Sequence, residues 1–339
     1  MDKQTDIALD WVAAMAGAER ATLGERVQSL WSGYGEIRRV HLAAGPVASV
    51  IVKHVRPPGP GHGHPRGWSG DRSHARKLRS YEVELAWYQT WAARCHAGCR
   101  VPRCVGVDQL ADGLVLVLED LDEAGFPGRR GGLDDAELDA CLRWLAAFHA
   151  RFMGDEPRGL WPVGTYWHLE TRPDELAVMR PGALRDAAAA IDERLNACVH
   201  QTLVHGDAKV ANFCFDRREA RGPHSGARVA AVDFQYVGGG CGVKDVAYFL
   251  GSCLSERQLE RRADALTDAY FGHLRAALRR ERPELDAEAI EREWRSLCMF
   301  AWADFERFLA GWSPGHAKQT GFSARMTHAA LHALAHEAP

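Results

Sequence analysis

Residues 201–250 read QTLVHGDAKVANFCFDRREARGPHSGARVAAVDFQYVGGGCGVKDVAYFL. Two apolar runs, Thr202–Val204 and Val229–Val232, each deliver an aspartate just past their ends, Asp207 and Asp233. Asn212 follows Asp207 by five residues, and Asp233 follows it by 26. Strand ends that bring together a base, a carboxamide and a second carboxylate form a site for a metal and a phosphate. A turn would explain any one of these residues, but not the set.

Asp, four residues, Asn, and later an Asp beside a Phe is the spacing of the kinase catalytic loop and its metal-binding pair. His205-Gly206-Asp207, with Asn212 and Asp233-Phe234, resembles the aminoglycoside phosphotransferase and choline kinase superfamily. The wider run, Asp233-Phe234-Gln235 with Lys244-Asp245-Val246-Ala247-Tyr248-Phe249-Leu250, is most similar to its ecdysteroid-kinase-like branch. The resemblance extends over roughly residues 28–312 and is strongest at 203–250. It implies an α+β, bilobal protein-kinase-like fold: a small antiparallel-sheet lobe and a larger, mainly helical lobe. The chain departs from protein kinases in having Gly206 where they carry Arg and Gln235 where they carry Gly. Only 12 residues separate Asp233 from Asp245. That leaves no room for a long activation loop and argues against a protein substrate.

The composition is that of an ordinary globular chain, with 46% apolar and 26% charged residues over 339 positions. A net charge of −3 predicts no bulk attraction to nucleic acid or membrane. No apolar run approaches the ~20 residues that span a bilayer. The N-terminus has acids early and no basic region before its apolar part, so Thr5–Ala18 reads as an amphipathic helix and not a signal peptide. Nine cysteines without paired spacing read as free thiols of a cytoplasmic protein. The 42 basic residues include only six lysines, at 3, 53, 77, 209, 244 and 318. Where this chain merely needs positive charge it uses Arg, so Lys53, Lys209 and Lys244 stand out.

Working outward, residues 28–40 read as strand, Gly turn, strand. Ser32, Gly33 and Gly35 would form the loop over the nucleotide phosphates, or a plain hairpin. Val47–Val55 is a β-branched run holding Lys53, which needs a partner unless it lies on an edge. In the kinase reading that partner is the α- and β-phosphates of ATP plus a helix carboxylate. Pro57–Asp71 is a loop; its His62 and His64, with His74, make a poor metal site. A helix is expected from about Ser73 to Ala93, offering Glu82 and Glu84. The family places the acid before an aromatic-Tyr pair, which favours Glu84 ahead of Trp87-Tyr88. Cys95, Cys99 and Cys104 lack zinc-site spacing. Leu114–Leu121 is a strand. By resemblance it leads into the hinge, where backbone groups around Glu119, Asp120 and Leu121 would meet adenine. Domains are therefore expected at 1–118 and 123–339, joined by a hinge at 119–122.

Further along, Leu133–Met153 reads as a helix started by Asp134 or Asp135, with His149 packed inside it. Leu160–Leu169 is aromatic-rich and reads as core before substrate wall. Pro173–Ala197 is helical with a break at Pro181-Gly182. Gly238–Gly240 and Gly242 read as a flexible turn. Three helices follow: Glu256–Arg280, Asp286–Leu309 and Ser323–His336. The acids and aromatics from Trp302 to Trp312 read as an amphipathic helix with solvated acids, ahead of a cradle for a cation.

The resemblance assigns roles. Asp207 is the base for an acceptor hydroxyl, and Lys209, if not a surface lysine, reaches the γ-phosphoryl group. Asn212 and Asp233 hold Mg²⁺, and His205 supports the loop. Asp245 anchors that loop or merely caps its helix. The expectation is an ATP- and Mg²⁺-dependent kinase for a small-molecule hydroxyl acceptor, monomeric by default. The alternatives are a non-catalytic nucleotide-binding module and a protein kinase.

Overall fold

In the computed structural model, which describes residues 7–30, 33–57, 71–110, 113–217 and 226–337, the first element is α1 (Leu9–Ala16). Positions 5 and 6 of the expected helix lie outside the described residues. Gly17 ends α1 in a left-handed conformation (φ 66°), its N–H returning to the carbonyls of Ala13 and Ala14. Five antiparallel strands then build one sheet: β1 (Arg20–Ser29), β2 (Gly35–Ala43), β3 (Ser49–Val55), β4 (Cys104–Leu110) and β5 (Gly113–Glu119), in spatial order β1-β2-β3-β5-β4. The edge strand β1 starts eight residues before the expected strand at Gln28. Nearly all of it is exposed, so it has no apolar alternation to betray it.

The central strand β3 is covered on both sides. Val50 and Val52 pack with Val115, Val117 and the α1 residues Val12 and Ala13. The intervening side chains, Lys53 and Val55, point the other way, toward α2 (Asp71–Ala86), because side chains alternate along a strand. The expected helix to Ala93 loses its α geometry at Trp87. Residues Trp87–Trp91 form a π turn and Ala92–Arg94 a 3₁₀ turn. The wider turn buries Trp87, Tyr88 and Trp91 together.

The rest is mainly helical. Asp134 caps α3 (Asp135–Arg151), with Glu137 completing a capping box. Three short helices follow, α4 (Pro173–Val178), α5 (Ala183–Asp186) and α6 (Ala188–Asn196), broken at Pro181-Gly182. Two small ribbons carry the motif-bearing stretch: β6 (Thr202–Val204) with β9 (Gly238–Gly240), and β7 (Phe213–Phe215) with β8 (Val229–Ala231). The expected flexible glycine turn is thus corrected: Gly238–Gly240 is a buried strand. A Cβ on Gly238 would lie 2.3 Å from the Trp161 carbonyl oxygen, so close packing, not flexibility, selects glycine there. Then come α7 (Val243–Cys253), α8 (Glu256–Glu281), α9 (Ala287–Trp312) and α10 (Gly321–Glu337). Helix α3 packs on α8, and α9 on α7 and α10. One large core unites these helices with the inner face of α2.

All nine cysteines are free thiols. No helix among the described residues is long and apolar enough to cross a membrane.

Candidate active site

Helix α7 holds the loop that begins at His205 from below. Asp245, fully buried in its first turn, accepts the N–H of His205 (2.5 Å) and of Gly206 (2.9 Å), and His149 Nε2 lies 3.2 Å from the same carboxylate. Gly242 takes the N-cap position, so Asp245 clamps the loop and does not cap its helix. Gly206 has φ 79°, and a Cβ there would stand 2.1 Å from the Tyr236 carbonyl oxygen. Only glycine fits, which explains the departure from Arg at this position. His205 rests its Nε2 on the Val232 carbonyl (3.1 Å), accepts the Asp207 N–H at Nδ1, and packs on Phe234.

Asp207 is buried at the mouth of this loop. Tyr248, three residues after Asp245 on the same face of α7, donates its hydroxyl to Asp207 Oδ1 (3.0 Å). Lys209 Nζ (2.8 Å) and Asn212 Nδ2 (3.1 Å) both donate to Oδ2. Burial raises the Asp207 carboxyl, Lys209 opposes this, Asp233 adds to it, and the result lies above the usual aspartate value. The main chains of the two motifs are joined, since the Val232 N–H donates to the Asn212 carbonyl (2.9 Å).

Asp233 sits in the left-handed region (φ 68°), uncommon for a residue with a side chain and tolerated best by Asp and Asn. Lys53 approaches its Oδ1 (3.9 Å) while bonding Glu84 Oε2 (2.5 Å). Glu82, the other acid weighed, pairs with Arg79 at the surface. Burial raises the Asp233 carboxyl, but Lys53, Lys77 and Lys209 outweigh it and the group ends below the usual range. Gln235 bridges the lobes: it donates to Asp233 Oδ1 (2.8 Å) and accepts from Lys77 (2.8 Å) and Ser80 (3.2 Å) of α2. Phe234 stacks on Trp87 at 4.4 Å between ring centres.

The chemistry of the donors fits a hard cation. The Asn212 amide nitrogen donates to the backbone and side chain of Asp207, which leaves its oxygen as the free acceptor. Asp233 Oδ2 likewise receives no hydrogen bond from the described residues. Among the described residues no three His, Cys, Asp or Glu side chains form a metal cluster. A metal at this site would therefore complete its shell with phosphate oxygens and water.

Elsewhere the outcome differs by residue. Ser32 lies outside the described residues, as do His62 and His64. Gly33 has φ 76° with open space around it. Gly35 begins β2, and a Cβ there would meet the His54 carbonyl oxygen at 2.0 Å, so the sheet itself requires that glycine. The Glu119 side chain holds Arg100 and the Arg103 N–H. The Asp120 carboxylate joins Arg39 (2.6 Å), Ser49 (2.7 Å) and the Asp122 N–H. The carbonyls of Asp120 and Leu121 close a turn onto the N–H groups of Ala124 and Phe126.

The reading of solvated acids on α9 is overturned at Asp304. Asp304 is fully buried, bonded to Arg307 (2.7 Å) and to the Trp167 indole (3.0 Å), with Lys244 Nζ 3.8 Å away. Sequence reasoning also missed Tyr248, Tyr166, Gln235 and Lys77. Tyr248 and Gln235 stood inside the quoted motifs, and for Tyr248 the i, i+3 spacing from Asp245 was the available signal.

No curated protein matches the chain. Among solved structures it is similar to a choline kinase from Cryptosporidium parvum Iowa II, at 10% identity over 93% of this chain and 88% of that one, with a TM-score of 0.49. It is also similar to an aminoglycoside phosphotransferase from Streptomyces rimosus in complex with ADP and streptomycin (16%, 86% and 97%, 0.46). A third is a microcompartment-associated aminopropanol kinase (16%, 93% and 93%, 0.46). The resemblance read from the motifs stands at the level of a family model: residues 170–282, which contain the whole catalytic stretch, match the ecdysteroid kinase-like family.

Proposed function

We propose that this protein is a small-molecule kinase that moves the γ-phosphoryl group of ATP, with Mg²⁺, to an acceptor hydroxyl. One observation carries the reading. A buried carboxylate, Asp207, is held by Tyr248, Lys209 and Asn212, while Lys53 links Glu84 to Asp233 across the cleft. Residues 1–118 form the nucleotide lobe, 119–122 the hinge and 123–339 the acceptor lobe.

In this reading Lys53, fixed by Glu84, offers its remaining ammonium protons to the α- and β-phosphates. Gly33, with open backbone, covers the phosphates. At the hinge, adenine meets the Leu121 N–H, because the Asp120 and Leu121 carbonyls are already bonded. Asn212 and Asp233 would hold Mg²⁺, which would supply positive charge against the charge that develops on the transferred phosphoryl group. Asp207 orients the acceptor hydroxyl and takes its proton; its raised affinity for a proton suits that task. Lys209 lies beside the attacked phosphoryl group. The short, buried path from Asp233 through β9 to α7 leaves no activation segment for a peptide substrate to dock on.

The test is ADP release from Mg-ATP against pools of small alcohols, with wild type and Asp207→Ala. Asp207→Ala should lose at least ~100-fold in turnover while still binding ATP. Unchanged turnover removes Asp207 from its role. ATP binding without release in any pool favours a binding module, and absence of ATP binding refutes the nucleotide site.

A further inference from the structure

The acceptor side of Asp207 carries a charge pattern that phosphoryl transfer does not use. Lys318 stands in the irregular segment between α9 and α10, its Nζ 4.6 Å from the centre of the Tyr248 ring and 5.7 Å from that of Phe305. Tyr248 is the residue whose hydroxyl holds Asp207, so Lys318 lies one ring away from the proposed base. Its neighbours are ring faces; among the described residues no carboxylate forms an ion pair or hydrogen bond with its ammonium. Burial lowers its proton affinity, Asp207 restores part of it and Lys209 opposes it, so the charges of the catalytic loop reach this ammonium.

Tyr248 also ends a row of tyrosines. Tyr166 lies 5.6 Å from it and Tyr236 5.8 Å from Tyr166, with Phe308 5.3 Å from Tyr166 on another side. At the Tyr236 end stands a second cation, Arg76 of α2. Its guanidinium is half-buried and bonds the Thr171 carbonyl and the Ser73 hydroxyl, while Glu175 and Asp174 favour its charge without bonding it. Of the acids of this wall, Asp174 pairs with Arg72 and Asp304 with Arg307, while Glu175 on Arg172 and Glu306 on Gln319 each use one oxygen and bury the other without a hydrogen bond. A pocket for a cationic acceptor would set a carboxylate, and not an ammonium, against the Tyr248 and Phe305 rings. A partly desolvated ammonium without a counter-ion is an unfavourable arrangement that an incoming anion relieves.

Resting on the kinase reading, we propose that the acceptor is a hydroxylated, ring-bearing carboxylic acid. Its flat body lies along the tyrosine row, its carboxylate pairs with Lys318, and its hydroxyl meets Asp207.

The test measures ADP release with three sets of acceptors built on the same ring bodies: hydroxy acids, their methyl esters and the matching amino alcohols. The acids should be preferred over the esters by roughly tenfold or more in kcat/KM, the size expected of a hydrogen bond to a charged group. Lys318→Met should remove that preference through KM, and Lys318→Arg should keep most of it. Esters as good as acids, or a preference for the amino alcohols, would overturn the inference and leave the kinase standing. Equal losses on acid and ester in Lys318→Met would move Lys318 to the transferring phosphate and also overturn it. No release from any set, by wild type, would count against the kinase reading itself.

Discussion

Lys53 and Lys244 are both buried, and their surroundings are opposite in kind. Lys53 has Glu84 as its own partner at 2.5 Å, with no guanidinium competing, and stands 3.9 Å from a second carboxylate across the cleft. Lys244 lies 3.8 Å from Asp304, which is already taken by Arg307 and Trp167, and its ammonium makes no hydrogen bond among the described residues. Burial alone does not tell what a lysine does. The competition for its carboxylate does: an undisputed acid fixes an ammonium for use, and a contested one leaves it a bystander in a structural cluster.

Three experiments bear on this contrast. The largest effect is expected at the structural cluster. Asp304→Ala strands Arg307 and Lys244 in the core and should lower stability by ~3–5 kcal/mol in urea unfolding. Lys244→Met, measured the same way, should stay within about 1 kcal/mol of wild type, because Asp304 keeps Arg307 and Trp167. If the two variants lose equally, Lys244 is a partner and no bystander. Next, Lys53→Met should lower kcat/KM by about 10²–10³, with a smaller loss in urea than Asp304→Ala, because it strands only Glu84, whose carboxyl burial already raises toward the neutral form. A matching loss of stability would erase the contrast.

A small effect is expected just past β5, where Asp120→Asn should cost about 1 kcal/mol at neutral pH. Burial acts to raise the Asp120 carboxyl, but Arg39 and Ser49 outweigh it and hold the group below its ordinary 3.8. A depressed carboxyl adds stability above its unfolded value and loses it as pH falls through its folded value. The gap between wild type and Asp120→Asn should therefore be flat near neutrality and close in acid below 3.8. A gap that widens in acid would show that Arg39 does not hold Asp120.

Parts of the molecule were legible because chemistry demanded rare combinations. A lysine inside a β-branched run needs an acid, and the family spacing pointed to Glu84, which meets it. Asp207, Asn212 and Asp233 announced one another by spacing, and the structure brings them together through Lys53, Gln235 and the Asn212–Val232 main-chain bond. Other parts depend on contacts that sequence separation hides. Lys318 follows α9 in a segment with no periodicity, so nothing local links it to Tyr248 seventy residues earlier. Asp304 read as a solvated acid because its neighbours on the helix suit an amphipathic face. Its partner Trp167 comes from 137 residues away. The run Gly238–Gly240 read as flexible from glycine's own freedom, but β6 and the Trp161 backbone press from both sides and make it a strand. In each case a tertiary contact overrode a local preference.

The stack of Trp87 on Phe234 has a consequence for control. Trp87 follows Glu84 by one turn of its helix, and Phe234 follows Asp233 directly. The acid that fixes Lys53 and the acid proposed for the metal are thus geared together by a pair of rings 4.4 Å apart, with Lys77 and Gln235 as a second tie. A helix so coupled could swing outward only by breaking the ring stack and the Lys77–Gln235 bond together. In the kinase reading the molecule would stay assembled whether or not an acceptor is present. Its output would follow the supply of acceptor, as a thermostat without a switch follows the room.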